Sequence, residues 1–302
     1  MIANVTRILI KIAKRNPLAI VYIPVSALIL VMFKLLHLHK WLRLRTIPLS
    51  ETMYGEMLRK NKSAILSHAK MMDNIFHSTS YSILKHEFDK IIVINGTKVG
   101  FTVNGREASV YIRGSFSDEN WVDNVDIIPV YNSELRMDVT TGYSSIFDEI
   151  MPAIRESLSE LEDGHTDGKE FDTVTVCGWS LGGALASMVT IGLSKTYNVV
   201  GYSVSSPRFT TCDYSSYVDD GTLIQIQKVS DVVGYLPMSN PFMKYRHRGD
   251  IIMLFDKGRT LRVVKDSIYN RFVLSSIVQS GRIGFKQHLT VLSDLKHYIN
   301  KL

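Results

Sequence analysis

Strands that alternate with helices, interrupted by tight hairpin signals, predict an α/β fold built on a mixed, mostly parallel sheet. Three observations carry this. The β-branched run Val174-Thr175-Val176 passes through a glycine-bounded turn into the small, helix-compatible stretch Gly183-Ala184-Leu185-Ala186. The pairs Asn95-Gly96 and Asn104-Gly105 follow short apolar runs and mark tight turns, which set antiparallel strands beside the parallel ones. Between the two regions, Asp148–Glu160 places Ile150, Met151, Ile154 and Leu158 at helical spacing.

In chain order, the first segment stands apart from the rest. Residues 1–50 hold eight basic side chains and no acid, although the whole 302-residue chain has a net charge of only +6. The remaining body is close to neutral, which argues against a nucleic-acid-binding face. Pro17 to Phe33 is seventeen residues without a charge. With Lys34-Leu35-Leu36, whose lysine can snorkel, it reaches about 20 residues or about 30 Å of helix, enough to cross a bilayer core. Residues 1–45 are therefore expected to be a membrane anchor with basic flanks. The segment reads as a single membrane span through 17–36 or as a monotopic segment lying in one leaflet. The basic residues are equal on both sides, so orientation is not set by charge.

Residues 46–302 form the expected catalytic-type domain, opening with a helical extension over 46–90. Strands follow at Ile91–Ile94, Val99–Val103 and Ala108–Arg113. After the glycine-bounded turn come strands at Val199–Ser203 and Leu223–Val229. A hairpin between Ile251–Phe255 and Thr260–Val264 and a helix from Thr290 complete the chain. The two cysteines, Cys177 and Cys212, do not indicate a disulfide framework. No metal-ligand spacing or phosphate-cradling loop is present, so no cofactor is implied.

The chemistry concentrates at Gly178-Trp179-Ser180-Leu181-Gly182. A serine becomes a usable nucleophile when a sharp strand-to-helix turn holds its hydroxyl clear of the backbone, and glycines two before and two after leave room for that turn. Such a serine needs a base, and the base needs an orienting acid; on the α/β-hydrolase scaffold they follow in the order Ser, Asp/Glu, His. Asp231, directly after the strand Leu223–Val229, is the expected acid, with Asp213 as the alternative. His288, in a short loop before the last helix, is the expected base. His297 falls inside that helix. His247 lies between Arg246 and Arg248, whose charges disfavour an imidazolium. The backbone N–H of Leu181 and a donor at Arg113-Gly114-Ser115 are the expected oxyanion hole.

Taken together these stretches resemble the class 3, or fungal-type, triacylglycerol lipase family. Arg113-Gly114-Ser115 with the later Trp121-Val122-Asp123 is similar to the family's strand end, oxyanion residue and lid. The turn with its Gly-Gly-Ala-Leu-Ala tail, Ser206-Pro207-Arg208, and the acid loop from Val229 to Leu236-Pro237 follow in family order. Three stretches differ: Trp179 stands where the family usually has His, Thr140-Thr141-Gly142-Tyr143 replaces its usual H-x-G-F, and the acid loop lacks the frequent proline before its Leu-Pro. The resemblance implies a serine lipase in which Ser180, Asp231 and His288 act as a triad, with Ser115 and Leu181 as the oxyanion hole. Trp121 would then be either the apolar tip of a lid or a core anchor. The implied partners are a lipid or other acyl ester and a membrane. A non-catalytic lipid-binding module on the same fold, or an esterase for non-lipid or lipidated-protein esters, would share most of these features.

Overall fold

The computed structural model describes residues 46–77, 84–113, 128–166, 168–213, 217–219, 221–237, 244–247, 251–255, 260–264 and 288–300. The expected anchor at 17–36, Ser115 and Trp121 lie outside them. Among the described residues no helix is long and apolar enough to cross a membrane.

The strands are β1 (Thr46–Pro48), β2 (Lys90–Ile94), β3 (Thr97–Asn104), β4 (Glu107–Ile112), β5 (Pro129–Asn132), β6 (Met137–Thr140), β7 (Thr173–Trp179), β8 (Val199–Val204), β9 (Leu223–Lys228), β10 (Ile251–Phe255) and β11 (Thr260–Val264). Nine of them form one sheet in the order β1-β11-β10-β9-β8-β7-β4-β3-β2, while β5 and β6 pair separately. The centre, β4-β7-β8-β9-β10, is parallel. Both edges are antiparallel, through the β2-β3-β4 meander and through β10-β11-β1. This is the mixed, mostly parallel sheet of an α/β-hydrolase fold.

Among the described residues five α-helices cover it: α1 (Met53–Lys60), α2 (Lys62–His77), α3 (Thr141–His165), α4 (Leu181–Leu193) and α5 (Val291–Asn300). One core joins α3 and α4 to Val110, Ile112, Val174 and Val176. The opposite core joins α1, α2 and α5 to Tyr111, Cys177, Trp179 and Ile226. Each large aliphatic chain taken fully out of water in these cores contributes about 1.5–3 kcal/mol.

Three elements differ from the sequence reading. The amphipathic helix expected over Asp148–Glu160 runs from Thr141 to His165. The 46–90 extension begins as a strand, because Thr46–Pro48 pairs with β11 at the sheet edge. Its two helices are a covering layer, burying Leu58, Ile65, Ala69, Met72 and Ile75 on the sheet. The short β5–β6 pair gave no alternation strong enough to be read.

The face of the sheet beneath α2 is not uniformly dry. In register, Ser109 lies beside Thr175 and Tyr111 beside Cys177, which in turn lies beside Tyr202. At the end of β4 and β7 remote from Ser180, the Ser109, Tyr111, Thr175, Tyr202 and His68 side chains line a cavity of about 530 Å³. His68 Nδ1 is 2.8 Å from the Tyr111 hydroxyl. Burial pushes the His68 imidazole down to about 4.

Candidate active site

β7 ends at Trp179 and α4 begins at Leu181, so Ser180 alone makes the turn. Its φ of 62° and ψ of −131° are a strained conformation for a side-chain-bearing residue. Glycines make the turn possible. A Cβ on Gly178 would come within 1.9 Å of the Gly182 carbonyl oxygen, and one on Gly183 within 2.9 Å of the Ser206 Cβ. The turn is held by Ser180 N–H donating to the Val204 carbonyl at 3.0 Å and Gly183 N–H donating to the Ser180 carbonyl at 2.9 Å. The Ser180 side chain does not cap α4. Leu181, as the first helical residue, has a backbone N–H with no intrahelical acceptor, free to face an anion.

Asp231 follows β9 and is fully buried. Its Oδ1 accepts the Val233 N–H at 2.9 Å, and its Oδ2 lies 2.7 Å from His288 Nδ1. The carboxylate therefore fixes both its own loop and one edge of the imidazole. His288 stands immediately before α5, whose register is tied to β9 by Lys228: its Nζ reaches the Thr290 hydroxyl at 3.0 Å and Asp294 Oδ2 at 2.6 Å. The imidazole face stacks on Trp179, with ring centroids 5.1 Å apart and planes 30° apart. This contact sets His288 beside the turn that carries Ser180.

The alternatives are placed elsewhere. Asp213 pairs with Arg246 at 3.4 Å and is exposed. His297 lies within α5, edge-on to Tyr298. His247 is buried, with Nε2 donating to the Gly234 carbonyl at 2.6 Å. Its imidazole is pushed down to about 3, first by burial and then by Arg208. The cause expected from sequence, Arg246 and Arg248, is thus corrected to desolvation and a residue of the Ser206-Pro207-Arg208 stretch.

That stretch buttresses the site. The Ser206 carbonyl accepts from Gln227 Nε2 at 3.1 Å, and Arg208 N–H donates to the Leu236 carbonyl at 2.6 Å, tying it to the acid loop. On the other side of β7, Ile112 is in register with Gly178, so the chain leaves β4 level with the turn. Ser115, three residues further on, is outside the described residues. Sequence reasoning did not find the contact of Trp179 with His288, nor the part played by Lys228. Neither residue carries a motif signal, because each acts on a histidine distant in the chain.

A parallel sheet ending in a strained serine, with a carboxylate and a histidine in contact further along the chain, defines a serine hydrolase of the α/β-hydrolase class. Residues 109–240 match the family model described as lipase (class 3), a segment that runs from within β4 through β7 and takes in the Ser180 turn and Asp231. Solved structures share the fold. The triacylglyceride lipase of Rhizomucor miehei superposes with a TM-score of 0.58 at 18% identity, covering 82% of this chain and 96% of that one. The lipase of Rhizopus microsporus var. chinensis gives 0.57 at 16% identity, covering 82% and 90%. A triacylglycerol lipase described as having a serine protease triad at its catalytic centre gives 0.57 at 17% identity, covering 82% and 96%.

Proposed function

We propose that this chain is a membrane-anchored lipase that hydrolyses acyl esters of glycerolipids, triacylglycerols or phospholipids, through an acyl-enzyme on Ser180. The observation that carries the reading is the buried Asp231–His288 pair, 2.7 Å across, beside the strained Ser180 turn. His288 Nε2 takes the Ser180 proton as Oγ attacks the ester carbonyl carbon. The negative charge that develops on the carbonyl oxygen is received by the Leu181 N–H and Ser115. Collapse of the tetrahedral species breaks the ester C–O bond, and the His288 proton goes to the departing alcohol. A water molecule, deprotonated by His288, then releases the fatty acid and restores Ser180. Asp231 holds the imidazole tautomer with Nδ1–H towards itself and stabilises the imidazolium.

In this reading residues 17–36 hold the domain at the lipid surface from which the ester is drawn, and Trp121 belongs to a lid that meets it. The support is the uncharged run between basic flanks and the family's lid sequence around Trp121. The test uses the full chain in membranes. Wild type is expected to stay in the carbonate-washed pellet and to release fatty acid from triacylglycerol or phospholipid. Ser180→Ala is expected to keep the location and lose at least about 1000-fold in rate. Equal rates in the two proteins would refute the mechanism, and release of both by carbonate would refute the anchor.

A further inference from the structure

Trp179 occupies the position just before the nucleophile, yet its side chain points to the other face of β7, into the core under α2 and α5. It is 2% exposed. Its indole N–H is buried without a hydrogen-bond acceptor among the described residues, so hydrogen bonding does not explain the residue. Its ring faces are used instead. One stacks on His288 at 5.1 Å, and Phe76 of α2 packs against the indole at 4.3 Å.

We infer that Trp179 is a positioning residue for His288, an aromatic floor that fixes the imidazole plane and favours its protonated form during acyl transfer. Asp231 constrains the ring at its Nδ1 edge, and an edge contact alone leaves the ring free to tilt. Stacking removes that freedom and leaves Nε2 directed to its task. A cation within about 6 Å of an indole centroid is attracted by the ring's quadrupole, and the attraction grows when water is excluded. The imidazolium exists only while Ser180 is attacking or the leaving group is departing, so the effect falls on the transition state. Phe76 backs the indole, which makes α2 part of the support for the base.

The titratable and charged groups on the surrounding elements are Asp231 itself, Lys228 of β9 paired with Asp294 of α5, Asp73 of α2 paired with His77 and with Lys296 of α5, and Lys62, His68 and Lys70 of α2 with His297 of α5. Substituting Trp179 changes none of them. An altered pH profile in such a variant therefore reports on the indole.

The inference rests on the reading of His288 as the base, which Ser180→Ala and His288→Ala test separately by abolishing turnover of a soluble nitrophenyl ester. If they do not, that reading fails first. The test of the inference itself compares wild type, Trp179→Phe and Trp179→Leu on that ester, with the full chain in detergent and rates normalised to sites titrated by a fluorophosphonate. Loss of the aromatic face makes the imidazole harder to protonate, so the acid limb of kcat/KM moves to lower pH. The displacement is expected to be about half a unit or more for Leu and smaller for Phe. The plateau kcat should fall by about 5–30-fold in Trp179→Leu with KM within about 2-fold. Coincident acid limbs in the three proteins, or a rise in KM at constant kcat, would overturn the inference. If the Leu variant does not fold, the displacement between Trp and Phe decides.

Discussion

Asp231 divides its two oxygens between its own loop and the histidine, and that division makes an amide substitution informative. Asn at this position can still accept the Val233 N–H, so the loop keeps its shape, but its NH2 group cannot accept from His288 Nδ1–H. The imidazole is then free to take the wrong tautomer. Asp231→Asn is expected to melt within a few degrees of wild type while kcat falls by about 10⁴-fold. Stopped assays with active-site titration check this, and a loss below about 10-fold would remove Asp231 from the mechanism. At this scale the sequence was legible where geometry imposes a residue type. Gly178 is required because a Cβ there meets the Gly182 backbone, and the motif records that requirement directly; Gly183, where a Cβ meets Ser206, lies one residue beyond it. Trp179 was not legible, because Phe76 and His288 reach it only when α2 and the start of α5 lie across the same strand.

Among the elements, α5 is the one whose placement decides the site. It carries no recognisable motif, and His288 precedes it in a segment with no helical pattern. Its anchor is Lys228, whose side chain is 4% exposed and whose charge is met by Asp294. Removing Asp294 takes a carboxylate away from a buried ammonium that keeps its bond to the Thr290 hydroxyl. Asp294→Ala is expected to cost about 1–3 kcal/mol, below the range for a fully buried pair because the carboxylate is itself partly solvated. The rate should fall with it, as α5 loosens and His288 with it. Denaturant midpoints and kcat measure the two effects, and Lys228→Met combined with Asp294→Leu should regain much of the stability. β7 shows the opposite case, an element whose pattern was fully readable but whose meaning was not. Its Thr-Val-Thr-Val alternation places valines on the dry face under α3 and α4 and Thr175 on the wet end of the face under α2.

For the molecule as a whole, the partly buried His68 and the buried His247 set a response to acid. His68 is held down to about 4 and His247 to about 3, both below the ordinary value near 6.5. The unfolded chain binds protons on both as the pH falls below about 6.5, while the folded chain does not. Stability is therefore fully present above about 6.5 and is lost progressively towards the folded values. Each group contributes a slope of up to about 1.4 kcal/mol per pH unit. His68 borders the cavity, so water there reduces its share, and His247 carries the larger part. Urea midpoints between pH 7 and 5 are expected to decline, and His247→Gln should flatten the decline. A flat wild-type profile would show that neither imidazole is kept neutral by burial.

The fold class and the strand-to-helix turn at Ser180 were readable from the sequence, which also marked Asp231 and His288 as the candidate acid and base. Each of these is written locally, as a strand period, a glycine that sterics demand, or a residue at the end of a strand. The sequence also marked 17–36 as apolar enough to span a bilayer. What surrounds His288 is fixed by packing between distant segments. The stacking of Trp179 on His288, the hold of Lys228 on α5 and the neutral state of His247 depend on desolvation and on contacts between distant segments. Those forces act on whatever the packed chain brings within a few ångströms, and no local pattern records them.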